Sequence, residues 1–259
     1  MLIEISDLFF SYGHTPILES ISLQVNSGEQ WAIIGKNGSG KSTLLRCIAG
    51  LEKPYRGSIK IAGRNIMDFK AKERARYISY IPQFCERNLP FIVSDYVMMG
   101  RYAYQKPMAA PSRIDRDIVR ESLVLTNTEE FADRLMNTLS GGEQQRVFLS
   151  AAVAQQAKIL LLDEPTTFLD PFHVRNIAQT LRRIIEKYNI TIISVSHEMN
   201  YSFNLHTNVL ALNEKRVYFS GKIDVLMSNG LSTAENLFEV PFEKVHLSSG
   251  TTVIFPVIN

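Results

Sequence analysis

The stretch GKNGSGKST, residues 35–43, follows the apolar run QWAIIG (30–35) and runs into KSTLLRCIAG (41–50), which reads as a helix. Gly35, Gly40, Lys41 and Ser42 satisfy G-x-x-x-x-G-K-[ST], with Lys36, Asn37, Gly38, Ser39 and Thr43 filling and closing the loop. A glycine-rich turn between a strand and a helix lets backbone N–H groups face phosphate oxygens. Lys41 then places a point charge on the β and γ oxygens, and Ser42 offers a hydroxyl to magnesium. Thr43 stands where a dinucleotide fingerprint needs its third glycine, which excludes that reading.

Outward from this loop, three further stretches carry chemistry. ILLLDEP (159–165) is a fully apolar strand ending in two acids, and unpaired carboxylates beside a core are costly. Asp163 in a magnesium shell and Glu164 facing an attacking water explain them; a solvated strand end is the plain alternative. NTLSGGEQQR (137–146) opens a helix through the capping box Ser140 and Glu143, a second glycine-softened helix start able to hold an anion. ITIISVSH (190–197) is a buried strand ending in His197, which is either a hydrogen-bonded structural residue or a catalytic one. Gln83, after Pro82, either completes a turn or enters the site, and Tyr12 is either core or an adenine platform.

Residues 2–34 are short β-branched and aromatic runs broken by Gly13, Pro16 and Asn26-Ser27-Gly28, which predicts an antiparallel β layer. From Phe84 to about Gln156 the period turns helical, with Ile114, Ile118, Ser122 and Leu125 as the expected inward stripe. Strand and helix then alternate again, and Asp170-Pro171 starts a helix that runs to Tyr188. EKVHLSSGTTVIF alternates about Ser248-Ser249-Gly250 and reads as a hairpin. The expected division is one domain over 1–225, with a helical subdomain at about 84–156, and a short extension over 226–259. The net charge of +2, with no run of Lys or Arg, leaves no footprint for nucleic acid. Cys47 and Cys85 fall in neither metal nor redox spacing and are expected reduced, which suits the cytosol. The opening MLIEISDLFF lacks the basic start of a signal peptide, and no apolar run reaches the roughly 18 residues of a membrane span.

Taken in order, GKNGSGKST, LSGGEQQR, ILLLDEPTTFLD and SVSH resemble an ATP-binding subunit of an ABC transporter, with the resemblance running from Leu2 to about Gly221. It implies an α/β P-loop ATPase with a RecA-like core, an N-terminal antiparallel β layer and an inserted helical subdomain. It also implies that two copies close head to tail around two ATP molecules, so Ser140, Gly141 and Gly142, with Glu143 in the capping box, face the γ-phosphate held by a partner copy. Tyr12 then stacks on adenine and Glu164 polarises water. Gln83 joins Ser42 and Asp163 at magnesium and senses the membrane partner, Asp170 links the two sites, and His197 is the switch at the γ-phosphate. Phe168 departs from the small residue often found at its position.

VSDYVMMGRYAY (93–104) is similar to the corresponding region of importers for iron chelates, haem and cobalamin, and LFEVPFEKVHLSSGTTVIFPV (237–257) to their C-terminal hairpin. Met98, Met99 and the tyrosines are equally readable as core. The resemblance implies an ATP hydrolase, using ATP and magnesium, that works as a homodimer on the cytoplasmic face of the membrane. Its implied partners are a permease dimer and, indirectly, an extracellular or periplasmic binding protein, with no nucleic acid. Zinc and manganese importers are the nearest alternative, against which Leu169-Asp170 stands. A soluble non-transport ABC ATPase acting on nucleic acid or ribosomes is the other alternative, and against it the chain shows no basic patch.

Overall fold

The computed structural model describes residues 1–86, 88–106, 109–167, 169–196, 199–228, 231–246 and 252–257. The chain forms two compact units, one from Met1–Met67 with Ile192–Asn259 and one from Asp68–Thr191. In the first unit β1 (Ile3–Tyr12) and β2 (Thr15–Val25) form an antiparallel hairpin whose alternate residues are buried. β3 (Gln30–Gly35) leads through the glycine loop into α1 (Lys41–Ile48). β4 (Arg56–Ile61) and β5 (Arg64–Asn65) complete a four-stranded antiparallel layer in the order β2-β1-β4-β5. Ile3, Ile5, Leu18, Ile21, Ile59 and Ile61 are buried, each contributing about 1.5–3 kcal/mol of hydrophobic stabilisation.

The second unit begins with α2 (Ala71–Ala75) and β6 (Ile78–Ile81). Three helices follow: α3 (Val93–Met99), α4 (Arg113–Leu125) and α5 (Gly141–Ala154). They pack on one another through buried Val93, Val97, Val119, Leu123, Val147 and Phe148. The inward stripe of α4 differs from the one its apolar spacing predicts. Ile114 is 69% exposed, Ile118 and Leu125 are half-buried, and the buried residues are Asp115, Val119, Ser122 and Leu123. The cause is buried Arg101, whose Nε donates to Asp115 Oδ1 at 3.0 Å while its Nη1 donates to Ala154 O at 2.7 Å. A buried guanidinium must be paired, and satisfying it turns Asp115 inward and Ile114 out. Asp115 also closes the α4 cap, accepting from the Ser112 amide at 3.0 Å and the Ser112 hydroxyl at 2.7 Å. β7 (Ile159–Asp163) runs parallel to β6, and α6 (Pro171–Tyr188) buries Ile177, Thr180, Leu181 and Ile184 at helical spacing.

The chain returns to the first unit just inside β8 (Thr191–Val195), which runs parallel to β3. After α7 (Met199–Leu205), β9 (Asn208–Asn213) pairs parallel with the other edge of β3, and β10 (Arg216–Lys222) returns antiparallel. The order β10-β9-β3-β8 makes β3 central, so the strand before the glycine loop is held on both edges. His206, fully buried, ties α7 to β8: its Nδ1–H donates to Ser202 O at 2.9 Å and its Nε2 accepts from the Ser194 hydroxyl at 2.8 Å. Burial pushes its pKa down to about 4, so the ring is neutral at physiological pH. α8 (Ile223–Ser228) and α9 (Ser232–Phe238) cover Ala32, Ile34, Val209 and Ala211 with Leu226, Ala234 and Leu237. β11 (Phe242–His246) and β12 (Thr252–Pro256) pair antiparallel; Ser248, Ser249 and Gly250 lie outside the described residues.

Candidate functional site

In the first unit, the β3 to α1 turn is shaped by glycines for which no other residue fits. Gly40, the N-cap of α1, has φ +98°, and a Cβ there would lie 2.6 Å from Leu18 Cδ2 and 2.9 Å from Ile17 O. A Cβ on Gly35 would collide with the carbonyl of Leu212 on β9 and lie 2.8 Å from Ser39 Oγ. At these two positions the turn has no room for a side chain. Lys41, 5% exposed, folds into it, its Nζ donating to Gly35 O and Lys36 O at 2.9 Å each. Carbonyl oxygens thus hold a buried ammonium in place at the head of α1, where anions are favoured. Lys36 pairs with Glu239 at 2.6 Å; Asn37, Gly38 and Ser39 complete the loop, and Ser42 and Thr43 stand in the first turn of α1. Tyr12 is 44% exposed, set edge-on to Phe10 with centroids 4.8 Å apart, and its hydroxyl donates to Glu52 at 3.1 Å. Its ring is therefore a surface feature and not core.

In the second unit the two acids at the end of β7 are both buried. Asp163 Oδ2 accepts from the Tyr80 hydroxyl at 3.2 Å. Glu164 sits at φ +51°, a left-handed conformation that costs a residue other than glycine about 1–3 kcal/mol. Its Oε2 accepts from Gln83 Nε2 at 2.6 Å and from the Thr167 hydroxyl at 2.9 Å. The fold thus brings Gln83, from the segment after β6, onto Glu164 across 81 positions of sequence. Tyr80 and Thr167 are partners that motif reading does not name. The nearest signal was Thr167 three residues beyond Glu164, within reach of a tight turn.

At the head of α5 the capping box forms as its spacing predicts. Glu143 Oε2 accepts from the Ser140 amide at 2.7 Å, and the Glu143 amide donates to Ser140 Oγ at 3.4 Å. Burial acts to raise the Glu143 pKa, but the Ser140 amide and hydroxyl outweigh it and hold the carboxyl below its usual range. Ser140 is exposed, and Gly142 is buried. Asp170, the N-cap of α6, accepts from the His173 amide on Oδ1 at 2.9 Å, with Oδ2 2.9 Å from His173 Nδ1. The His173 amide first, and then its ring, keep the Asp170 carboxyl below the usual range. His197 and Phe168 lie outside the described residues.

A loop of this shape, two buried strand-end acids and a second capped glycine helix start define a nucleotide-hydrolysing protein of the P-loop class. A family profile described as ABC transporter matches residues 18–167, and the chain belongs to this family: it binds and hydrolyses ATP. It is 36% identical over 233 residues, 90% of this chain and 84% of the relative, to "Probable siderophore transport system ATP-binding protein YusV" of Bacillus subtilis strain 168. Among solved structures, a chain of an inward-facing ABC transporter assigned to the metal-chelate type superposes with TM-score 0.84. The two are 26% identical, and the match covers 99% of this chain and 98% of that one. A dimeric post-hydrolysis state of the ATP-binding cassette MJ0796, bound to ADP and Pi, gives 0.73 at 28% identity, covering 86% and 99%. The fold is therefore the ABC ATPase α/β fold. Among the described residues no helix is long and apolar enough to cross a membrane.

Proposed function

We propose that this ATPase energises the import of an iron chelate through a membrane permease, working as a homodimer attached to the cytoplasmic face of the membrane. The observation that carries the cargo class is the joint likeness, over nearly the whole chain, to a siderophore-system relative and to a metal-chelate transporter. An extracellular or periplasmic binding protein would deliver the chelate to the permease.

The site residues support the following division of labour. The loop amides of 35–43 and Lys41 hold the phosphates, and Tyr12 stands under the adenine. Ser42, Asp163 and the amide oxygen of Gln83 are the hard oxygen donors magnesium takes, and the ion would neutralise charge on the phosphate oxygens. Glu164, fixed on one oxygen by Gln83 and Thr167, takes a proton from the attacking water. Ser140, Gly141 and Gly142 serve the partner copy's γ-phosphate, Asp170 joins the two sites, and His197 is assigned to the γ-phosphate on resemblance alone.

For the permease, the fitting surface is a groove of about 260 Å³ in the second unit. Tyr80, Pro82, Cys85, Tyr96, Met99 and Phe148 line it, and Phe84 and Tyr102 are also exposed in the 84–104 stretch. Flexible methionine and amphipathic rings suit a short helix laid in a groove, and Gln83 lies within the segment that borders it. The test of the whole reading is uptake. Cells lacking the gene should fail to take up ferric siderophore or haem, with recovery from the parent chain and not from Glu164→Gln; a loss confined to cobalamin, a cobalt chelate, would overturn the iron. Loss of zinc or manganese uptake alone would overturn the cargo. Unchanged uptake of all of these, with no permease co-purifying, would overturn transport.

A further inference from the structure

His173 belongs to none of the motifs, yet it touches two of them. A Cβ added to Gly142 would run into the His173 ring, striking Cδ2, Cγ and Nε2, so the imidazole lies directly on the bare Cα of the second signature glycine. The opposite side of the same ring sets Nδ1 2.9 Å from Asp170 Oδ2, while the His173 amide donates to Asp170 Oδ1 at 2.9 Å. Phe172 closes the arrangement, packing edge-on with ring centroids 5.4 Å apart. One half-buried side chain therefore fills the space between the head of α5 and the loop that ends at Asp170.

We infer that His173 is a positioning residue that locks the signature glycines and Asp170 into one rigid surface. It would ensure that the two groups meet the partner copy's nucleotide together. The inference rests on the shared-site reading of Ser140 and Gly142, and it gives Gly142 a second reason to lack a side chain. Glycine here makes room for the imidazole as well as for a phosphate. A helix head and a loop that moved separately would have to be ordered anew each time two copies close, and small misplacements of catalytic groups cost rate steeply. A rigid ring between them removes that cost.

The test is a double-mutant cycle with two readouts. In the purified chain His173→Ala should leave ATP binding to its own phosphate loop within about twofold and lower kcat about tenfold to a hundredfold. Gly142→Ala should lower kcat at least as much, and adding His173→Ala to it should cost nothing further, because the clash is gone. His173→Asn, whose amide can still donate to Asp170, should recover part of the loss. Multiplicative losses in the double variant, a parent-like His173→Ala, or equal loss in the Asn and Ala variants would overturn the lock. Hydrogen exchange of the ATP-free chain separates this from the dimer reading, since His173→Ala should raise exchange at both 139–144 and 169–174. If that rise occurs but Glu164→Gln never dimerises with ATP, the shared site fails and the lock stands. If dimerisation is normal and exchange is unchanged, the lock fails.

Discussion

Lys41 and Glu164 are both buried, and each is held by its own neighbours. Lys41 is pinned by two carbonyls of its own loop, which hold the ammonium at the head of α1. Lys41→Ala should therefore weaken ATP binding and turnover together, read by nucleotide titration and phosphate release. Glu164 is pinned through one carboxylate oxygen and held in a strained backbone. Glu164→Gln should keep ATP while kcat falls about 10²–10⁴-fold, the usual share of a general base; near-parent hydrolysis would remove Glu164 from the role. Single residues were unevenly legible. Lys41 and Ser42 sit in a short window where chemistry dictates neighbours, so the motif names them. Tyr80 meets Asp163, and the His173 ring meets Gly142, through contacts that only folding makes, whereas Thr167 lies three residues from the Glu164 it touches.

Elements follow their local signals where those signals are complete. β3, α1, β7 and α6 each carry apolar runs with a proper start or stop, such as Asp170-Pro171 before α6, and they form where the pattern places them. α4 forms where expected but turned, because apolar spacing has no means of showing that Arg101 needs Asp115 inside. Removing one partner of a buried ion pair costs about 3–5 kcal/mol, so Arg101→Ala should lower the urea midpoint sharply without changing ATP binding to the phosphate loop. The Asp115 carboxyl is held below its usual range, first by the Ser112 hydroxyl against the opposing effect of burial, and then by Arg101. A lowered folded pKa contributes stability that is present above the unfolded value and is lost as pH falls through the folded one. Acid unfolding curves of Asp115→Asn should therefore start from lower stability at neutral pH and fall less steeply below about pH 4. The hairpin β11–β12 has its own tie, since Asn200 accepts from the Ile254 amide at 2.9 Å and donates to its carbonyl at 3.0 Å. Asn200→Ala should raise hydrogen exchange across 252–257, with no effect there if the bracket is idle.

At the scale of the whole molecule, the chain carries two helix heads suited to anions, one after GKNGSG and one at LSGG. On the shared-site reading they serve different nucleotides, the first its own and the second that of a partner copy, so that twofold symmetry yields two composite sites. Lys41→Ala disables the first head and Ser140→Arg the second, and each variant alone should be inactive. In a mixed dimer both lesions meet at one site and leave the other intact. Random exchange makes about half of the dimers mixed and leaves about a quarter of all sites whole, an upper limit if both sites must fire together. The decisive measurement is ATPase activity after mixing the two inactive variants under conditions where subunit exchange is demonstrated. The shared-site arrangement predicts activity that rises with exchange towards a quarter of the parent value. Activity that stays at the level of either variant alone, together with no ATP-dependent dimer in Glu164→Gln, would contradict it.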